Sequence, residues 1–249
     1  MRRAISGLVF ALFLGACGQT GIQNMSSMFV SGLARPEMIV VSDLEISPNV
    51  VLLDKGFAAQ IQRRLGKLPP EQMREQLAAR VNQEIVVSMV MTLTEDGFAA
   101  REGGKETTLT DKPVLLVSGK VRAIDQGNRT RRAVIGLGAG KSEVAADIAV
   151  SHVSPSGKKE VLAFAAEAES GMRPGAAVTA PVSAPRGAAT VAAAAAGGAI
   201  SEKLSADVEA HARRLGQAAA RRIIAYAAEQ GWTAQPAAQD SAALRREAQ

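Results

Sequence analysis

The chain has 249 residues, a formal net charge of +5 and a hydrophobic fraction of 47%. Its length suits one domain, and a single tryptophan, a single tyrosine and six phenylalanines offer few platforms for stacking nucleic-acid bases. We therefore expect no nucleic-acid partner.

The first 17 residues have the pattern of a secretion signal. Arg2 and Arg3 form a positive head, an apolar run follows over positions 4–13, and small residues precede Cys17. The run is too short to span a bilayer, which indicates a signal peptide. Cys17 is the only cysteine, and Leu-Gly-Ala before it looks like a bacterial lipobox. That resemblance implies cleavage before Cys17, which removes residues 1–16, and a diacylglycerol group, carrying acyl chains such as palmitate, on the Cys17 sulfur. The alternative is an ordinary signal peptide that happens to contain a cysteine.

Acyl chains on Cys17 would hold the mature protein on a membrane without a spanning helix. Gly18, and not an aspartate, follows the cysteine. By resemblance to Gram-negative lipoproteins, this implies the periplasmic side of the outer membrane. Residues 17–34 are mostly small and polar, and this composition predicts a lipidated tether.

Residues 35–230 are predicted to form a single α+β domain. Strand-like patterns cover positions 37–45, 113–124, 130–135, 142–153 and 160–169, with a further edge strand near 98–101, and helical patterns cover 56–65, 71–93 and 199–230. The helix at 71–93 carries an apolar stripe at every fourth position, including Leu77, Val81 and Ile85. We predict a mainly antiparallel sheet of about five strands with two long helices packed on one face, which leaves the other face for a partner.

Two segments depart from this pattern. Residues 171–198 are rich in alanine, glycine and proline, and Pro181 and Pro185 argue against a membrane span, so a loop is expected. Residues 231–249 follow the last helix and predict a disordered tail.

Residues 127–142 hold four glycines and four cations in sixteen positions. The possible binding residues are Arg129, Arg132, Gly136, Gly138, Gly140, Lys141 and Ser142. A phosphate loop is the first reading, but Ile135 stands where a Walker loop needs glycine, and the residues that follow alternate like a strand rather than a helix. The pattern favours a glycine-rich bend between two strands.

The cations of this bend leave two interpretations open. Arg129, Arg131 and Arg132 beside exposed backbone amides could bind a carboxylate or phosphate of a partner, a glycan or a lipid headgroup. Alternatively, Arg129 and Arg132 pair with Asp125 or Asp147 on neighbouring strands.

These residues resemble an uncharacterised family of bacterial proteins, catalogued as domain of unknown function 4410. The resemblance rests on Val41-Ser42-Asp43, on the start of the helix at Gly56, on Pro174-Gly175-Ala176 and above all on the motif of residues 127–142. It covers roughly residues 39–228 and implies a domain but no activity.

Catalysis finds little support in the sequence. The two histidines, His152 and His211, have no zinc-ligand spacing beside them, and no nucleophile-elbow motif occurs. We expect no enzyme activity, no cofactor and no metal. The expected function is a membrane-anchored periplasmic lipoprotein that binds or assembles with an envelope protein; the alternative is a self-assembling structural component in which the Ala/Gly-rich loop packs against its copies.

Overall fold

The computed structural model describes residues 19–27, 32–56, 60, 68–104, 112–128, 140–170 and 197–232. The predicted signal peptide, Cys17, the strand at 130–135, most of the helix at 56–65, most of the 171–198 loop and nearly all of the predicted tail lie outside these residues. So do Arg129, Arg132, Gly136 and Gly138.

Within the described residues, eight strands form one sheet and two long helices cover it. The elements are, in chain order, β1 (Gln19–Ser27), β2 (Met38–Ser42), β3 (Glu45–Ile46), β4 (Val51–Leu52), α1 (Pro70–Glu95), β5 (Ala100–Gly103), β6 (Val114–Asp125), β7 (Glu143–Ser154), β8 (Gly157–Glu169) and α2 (Gly197–Glu229). The predicted helix at 71–93 and the predicted strands at 142–153 and 160–169 are confirmed.

The sheet has the order β1-β8-β7-β6-β2-β5 and is mixed. Strands β1, β8, β7 and β6 pair antiparallel, whereas β2 lies parallel to both β6 and β5. The short strands β3 and β4 continue along the same edge of β6 as β2, also parallel to it.

The prediction of a mainly antiparallel sheet of about five strands is therefore wrong. Strands β2 and β5 are neighbours, but the connection between them contains α1, and a crossover of this kind joins parallel strands. The sequence pattern also merges β2 and β3 into one strand. The chain leaves the ladder after Ser42 and returns at Glu45, opposite Lys120.

The first strand lies within the segment for which the composition predicts a tether. Gln19 pairs with Glu169 and Ser27 with Leu162, so β1 forms one edge of the sheet. Its side chains are nearly all exposed. The polar composition of this segment reflects the exposure of its side chains but carries no information about backbone pairing. For this reason the strand looks like a tether in the sequence.

Both helices pack on the same face of the sheet and share its core. They run in the same direction, because Arg80 pairs with Glu209 at 2.9 Å and Glu84 pairs with Arg213 at 3.1 Å. The helices pack tightly at Gly216, where an added Cβ would meet the Ser88 hydroxyl and the Ile85 carbonyl. We call the opposite side of the sheet the distal face.

The two ends of the sheet carry different structures. At one end, which we call the neck end, Asp125, Glu143 and Glu169 lie in register across β6, β7 and β8. At the hairpin end, β7 and β8 are joined by a tight turn at Ser154 to Gly157. There His152 Nε2 donates to the Ala34 carbonyl at 2.8 Å, and its ring centroid lies 6.1 Å from that of Trp232 at an interplanar angle of 32°.

Candidate functional site

The two described ends of the motif at residues 127–142 lie against each other, residues 127–128 beside residues 140–142. We call this contact the neck. The Asn128 N–H donates to the Gly140 carbonyl at 3.2 Å, and the Gly127 N–H donates to Asp125 Oδ1 at 2.6 Å. Gly127 and Gly140 adopt φ of 72° and 74°. An added Cβ at Gly127 would meet the Lys141 carbonyl, and one at Gly140 would meet that of Asn128. The neck therefore requires glycine at both positions for conformation and for space.

Lys141 does not occupy the position of a phosphate-loop lysine. Its Nζ binds both carboxylate oxygens of Glu169, at 2.8 and 3.0 Å. The chain continues from Ser142 directly into strand β7, as predicted, whereas a phosphate loop opens a helix. Of the predicted binding residues, the structure thus describes Gly140, Lys141 and Ser142, and it places all three at the neck.

Ser142 meets a histidine of the last helix. Ser142 Oγ lies 2.8 Å from His211 Nε2, and Arg214 Nη2 lies 2.8 Å from His211 Nδ1. The serine is fully buried and the histidine is 5% exposed. Arg214 also donates to the Glu169 carbonyl at 3.1 Å, which ties α2 to the end of β8.

The arginine assigns the tautomer of His211. A guanidinium only donates hydrogen bonds, so Nδ1 accepts from Arg214 and the neutral ring carries its proton on Nε2. Nε2 then donates to Ser142 Oγ. In this tautomer the imidazole cannot take a proton from the serine, so the pair lacks the base of a nucleophilic serine site.

Sequence reasoning missed this cluster because Ser142 and His211 are 69 positions apart. A usable signal is present, however. His211 is a polar residue within the buried stripe of α2, next to Ala212 and one turn after Val208, where an apolar residue is expected.

Four carboxylates gather at the neck end beside this cluster. Burial raises the pKa of Glu143, the carboxylates of Glu167, Glu169 and Asp125 raise it further, and Arg122 lowers it. The described part of the chain contains no group of three or more histidine, cysteine or acidic side chains placed to hold a metal ion.

The distal face carries a cavity of about 550 Å³. Small side chains lie along its floor: Ser118, Ala149, Ala163 and Ala165. Charged side chains of both signs border it: Glu45, Lys120, Asp147 and Lys158. Arg122 Nε binds Asp147 Oδ1 at 3.0 Å, so this carboxylate forms an exposed ion pair with a neighbouring cation.

One border of the cavity is a bulge in β1. Asn24 lines it and adopts a φ of 47°, between Gln23 and Ser26, where the register with β8 shifts. Positive φ is uncommon outside glycine, and asparagine tolerates it best. The sequence pattern predicted a face for a partner but not these residues; the signal it contains is the set of small residues at alternate positions of β7 and β8.

Fold and neck together define the class of protein. It is an α+β domain with a mixed sheet, two parallel helices on one face, and a glycine-containing neck that contacts the last helix through Ser142 and His211. The chain belongs to the family described as Domain of unknown function (DUF4410), which matches residues 39–187. The match covers most of the sheet and includes the neck. A comparison with curated proteins finds no match.

Among solved structures, the chain is similar to the PelC dodecamer from Paraburkholderia phytofirmans, at 12% identity and a TM-score of 0.29 over 80% of this chain and 97% of that one. A point variant of the same dodecamer has 12% identity and a TM-score of 0.29, over 80% of this chain and 95% of that one. A likeness at this TM-score is too weak to transfer a fold or a function. No helix within the described residues is long and apolar enough to cross a membrane.

Proposed function

We propose that this protein is a periplasmic lipoprotein of the outer membrane, anchored through acyl chains on Cys17, that binds or assembles with an envelope protein. The order of positive head, apolar run, small residues and cysteine supports the anchor. Family membership adds no activity to this proposal.

The cavity on the distal face is the observation that carries the binding role. Both helices use the opposite face, so the distal face takes no part in the helix packing that forms the main core. Its floor of small side chains allows close approach of another backbone, and its border offers both positive and negative groups. This combination suits a polypeptide with charges of both signs better than the uniformly anionic backbone of a nucleic acid.

The Ser142 and His211 geometry argues against a hydrolase at the neck. His211 donates to Ser142 in the tautomer that Arg214 selects, and both side chains are buried. We propose instead that this cluster holds α2 against the end of the sheet and so keeps the neck in place.

The test is site-specific photo-crosslinking in the native membrane. A photoreactive amino acid at Ala163, on the cavity floor, should give a defined crosslinked protein, whereas the same group at Gln83, on the exposed side of α1, should not. In a Cys17→Ala form the protein should leave the membrane fraction. Absence of any crosslink at Ala163, or the same products at both sites, would contradict a binding role for the distal face.

A second candidate, self-assembly, is favoured by the edge strand β1. It is nine residues long and carries no charge, and all but one of its residues are exposed. Natural edge strands often carry charges that prevent edge pairing. Self-assembly predicts an oligomer of the purified protein in detergent, by light scattering, that dissociates when Gln23→Lys adds a charge to this edge; a monomer in both forms would exclude it.

A further inference from the structure

The start of β1 determines which end of the domain is close to a lipid on Cys17. Gln19 is two residues after Cys17 and pairs with Glu169 at the neck end. Two residues of extended chain span at most about 7 Å. An anchor at Cys17 is therefore held near the end of β8, although the composition of residues 17–34 predicts a longer reach.

The opposite end of the sheet is far from this point. Strand β7 has 12 residues and spans roughly 36–40 Å between the neck end and the hairpin end. Lys141 lies at the near end, where it binds Glu169, and Ser156 lies in the turn at the far end. Arg122 is on β6, slightly inward from the neck.

We propose that the neck end of the sheet faces the phospholipid headgroups and that β6, β7 and β8 extend from the membrane toward the hairpin end. This inference rests on the proposed lipidation of Cys17. The covalent connection sets the orientation, and charge contributes little, because the neck end holds Lys141 and Arg122 together with Asp125, Glu143, Glu167 and Glu169. Cations at the hairpin end, such as Lys158 and Lys159, lie several screening lengths away at physiological salt.

The arrangement also restricts the partner of the distal face. The sheet face that carries the cavity would be roughly perpendicular to the bilayer, and the cavity would lie within about 40 Å of the membrane surface. A partner must then present its binding segment close to the same membrane surface.

Energy transfer to a lipid dye tests the orientation. A donor is attached through an azide-bearing amino acid at Lys141, Arg122 or Ser156 in turn, which leaves Cys17 for its lipid. Each acylated protein is placed in vesicles of phosphatidylethanolamine and phosphatidylglycerol that contain an acceptor lipid. Transfer should be highest from Lys141, lower from Arg122 and lowest from Ser156, and the order should persist in high salt. Equal transfer from Lys141 and Ser156, or the reverse order, would overturn the proposal.

Mass spectrometry of the same preparations separates this result from the proposed function. A mature protein without acyl chains on Cys17 would contradict the lipoprotein proposal. The orientation would then be measured on residues 17–249 with a maleimide lipid coupled to Cys17. The same order of transfer would support the role of β1, and any other order would overturn it. Trp232 fluorescence confirms that each labelled variant is folded.

Discussion

At the scale of single residues, the fold makes the charged form of Glu143 less favourable than it is in the unfolded chain. It faces Asp125 on one neighbouring strand and Glu169 on the other. Burial raises its pKa most, the carboxylates of Glu167, Glu169 and Asp125 raise it further, and Arg122 offsets only part of the effect. The folded state therefore holds the proton of Glu143 more tightly than the unfolded chain does.

The pH dependence of stability follows from this difference. Between the unfolded-state and folded-state pKa values of Glu143, the folded protein binds more protons, so the free energy of unfolding falls as pH rises. Glu143→Gln removes the titrating group. We expect it to stabilise the protein at about pH 8 and to have little effect at about pH 3.5, measured by urea unfolding with Trp232 fluorescence. Glu160→Gln, at an exposed site of β8, is the control; an equal effect of Glu143→Gln at both pH values would contradict the explanation.

At the scale of elements, the neck combines two constraints that can be measured separately. Gly140 needs positive φ and also lacks space for a side chain. Gly231, just after α2, has a similar φ of 75° but nothing within 4 Å of an added Cβ. The two glycines therefore form a matched pair.

Alanine at each glycine should separate conformation from packing. Gly231→Ala should cost about 1–2 kcal/mol, the usual penalty of a left-handed conformation. Gly140→Ala should cost a further ~1–3 kcal/mol, because the methyl group would meet the Asn128 carbonyl. The measurement is urea unfolding followed by circular dichroism. Equal costs at the two positions would show that the neck opens to accept a side chain.

At the scale of the whole molecule, β1 makes residues 19–27 part of the sheet, although composition predicts a tether there. Its backbone pairs with β8 from Gln19 to Ser27. If residues 17–34 were only a tether, their removal would not change the stability of the domain.

Truncation distinguishes the strand from the tether. A chain that begins at residue 28 should be less stable than one that begins at residue 18, by at least about 1 kcal/mol, because it loses the ladder to β8 and exposes that edge. The comparison is the urea midpoint reported by Trp232, which is 5% exposed in the folded protein. Identical midpoints would show that β1 adds nothing to the fold.

The sequence by itself determined the features that local pattern encodes. The stripe through Leu77, Val81 and Ile85 predicted α1, and the alternation after Ser142 predicted β7 instead of a phosphate-binding helix. The glycines of the motif indicated a bend, and the neck shows why two of them are needed. Such patterns repeat within a few residues, so a single segment is enough to recognise them.

Only the tertiary structure decided the pairing partners. The parallel position of β2, the addition of β1 to the sheet and the contact of Ser142 with His211 each join segments that are distant in the chain. Pairing of this kind depends on backbone hydrogen bonds and on the packing of α1 and α2, and neither leaves a local pattern in the residues. For the same reason the cavity on the distal face, which needs β1, β6, β7 and β8 side by side, could not be assigned to residues before the fold was known.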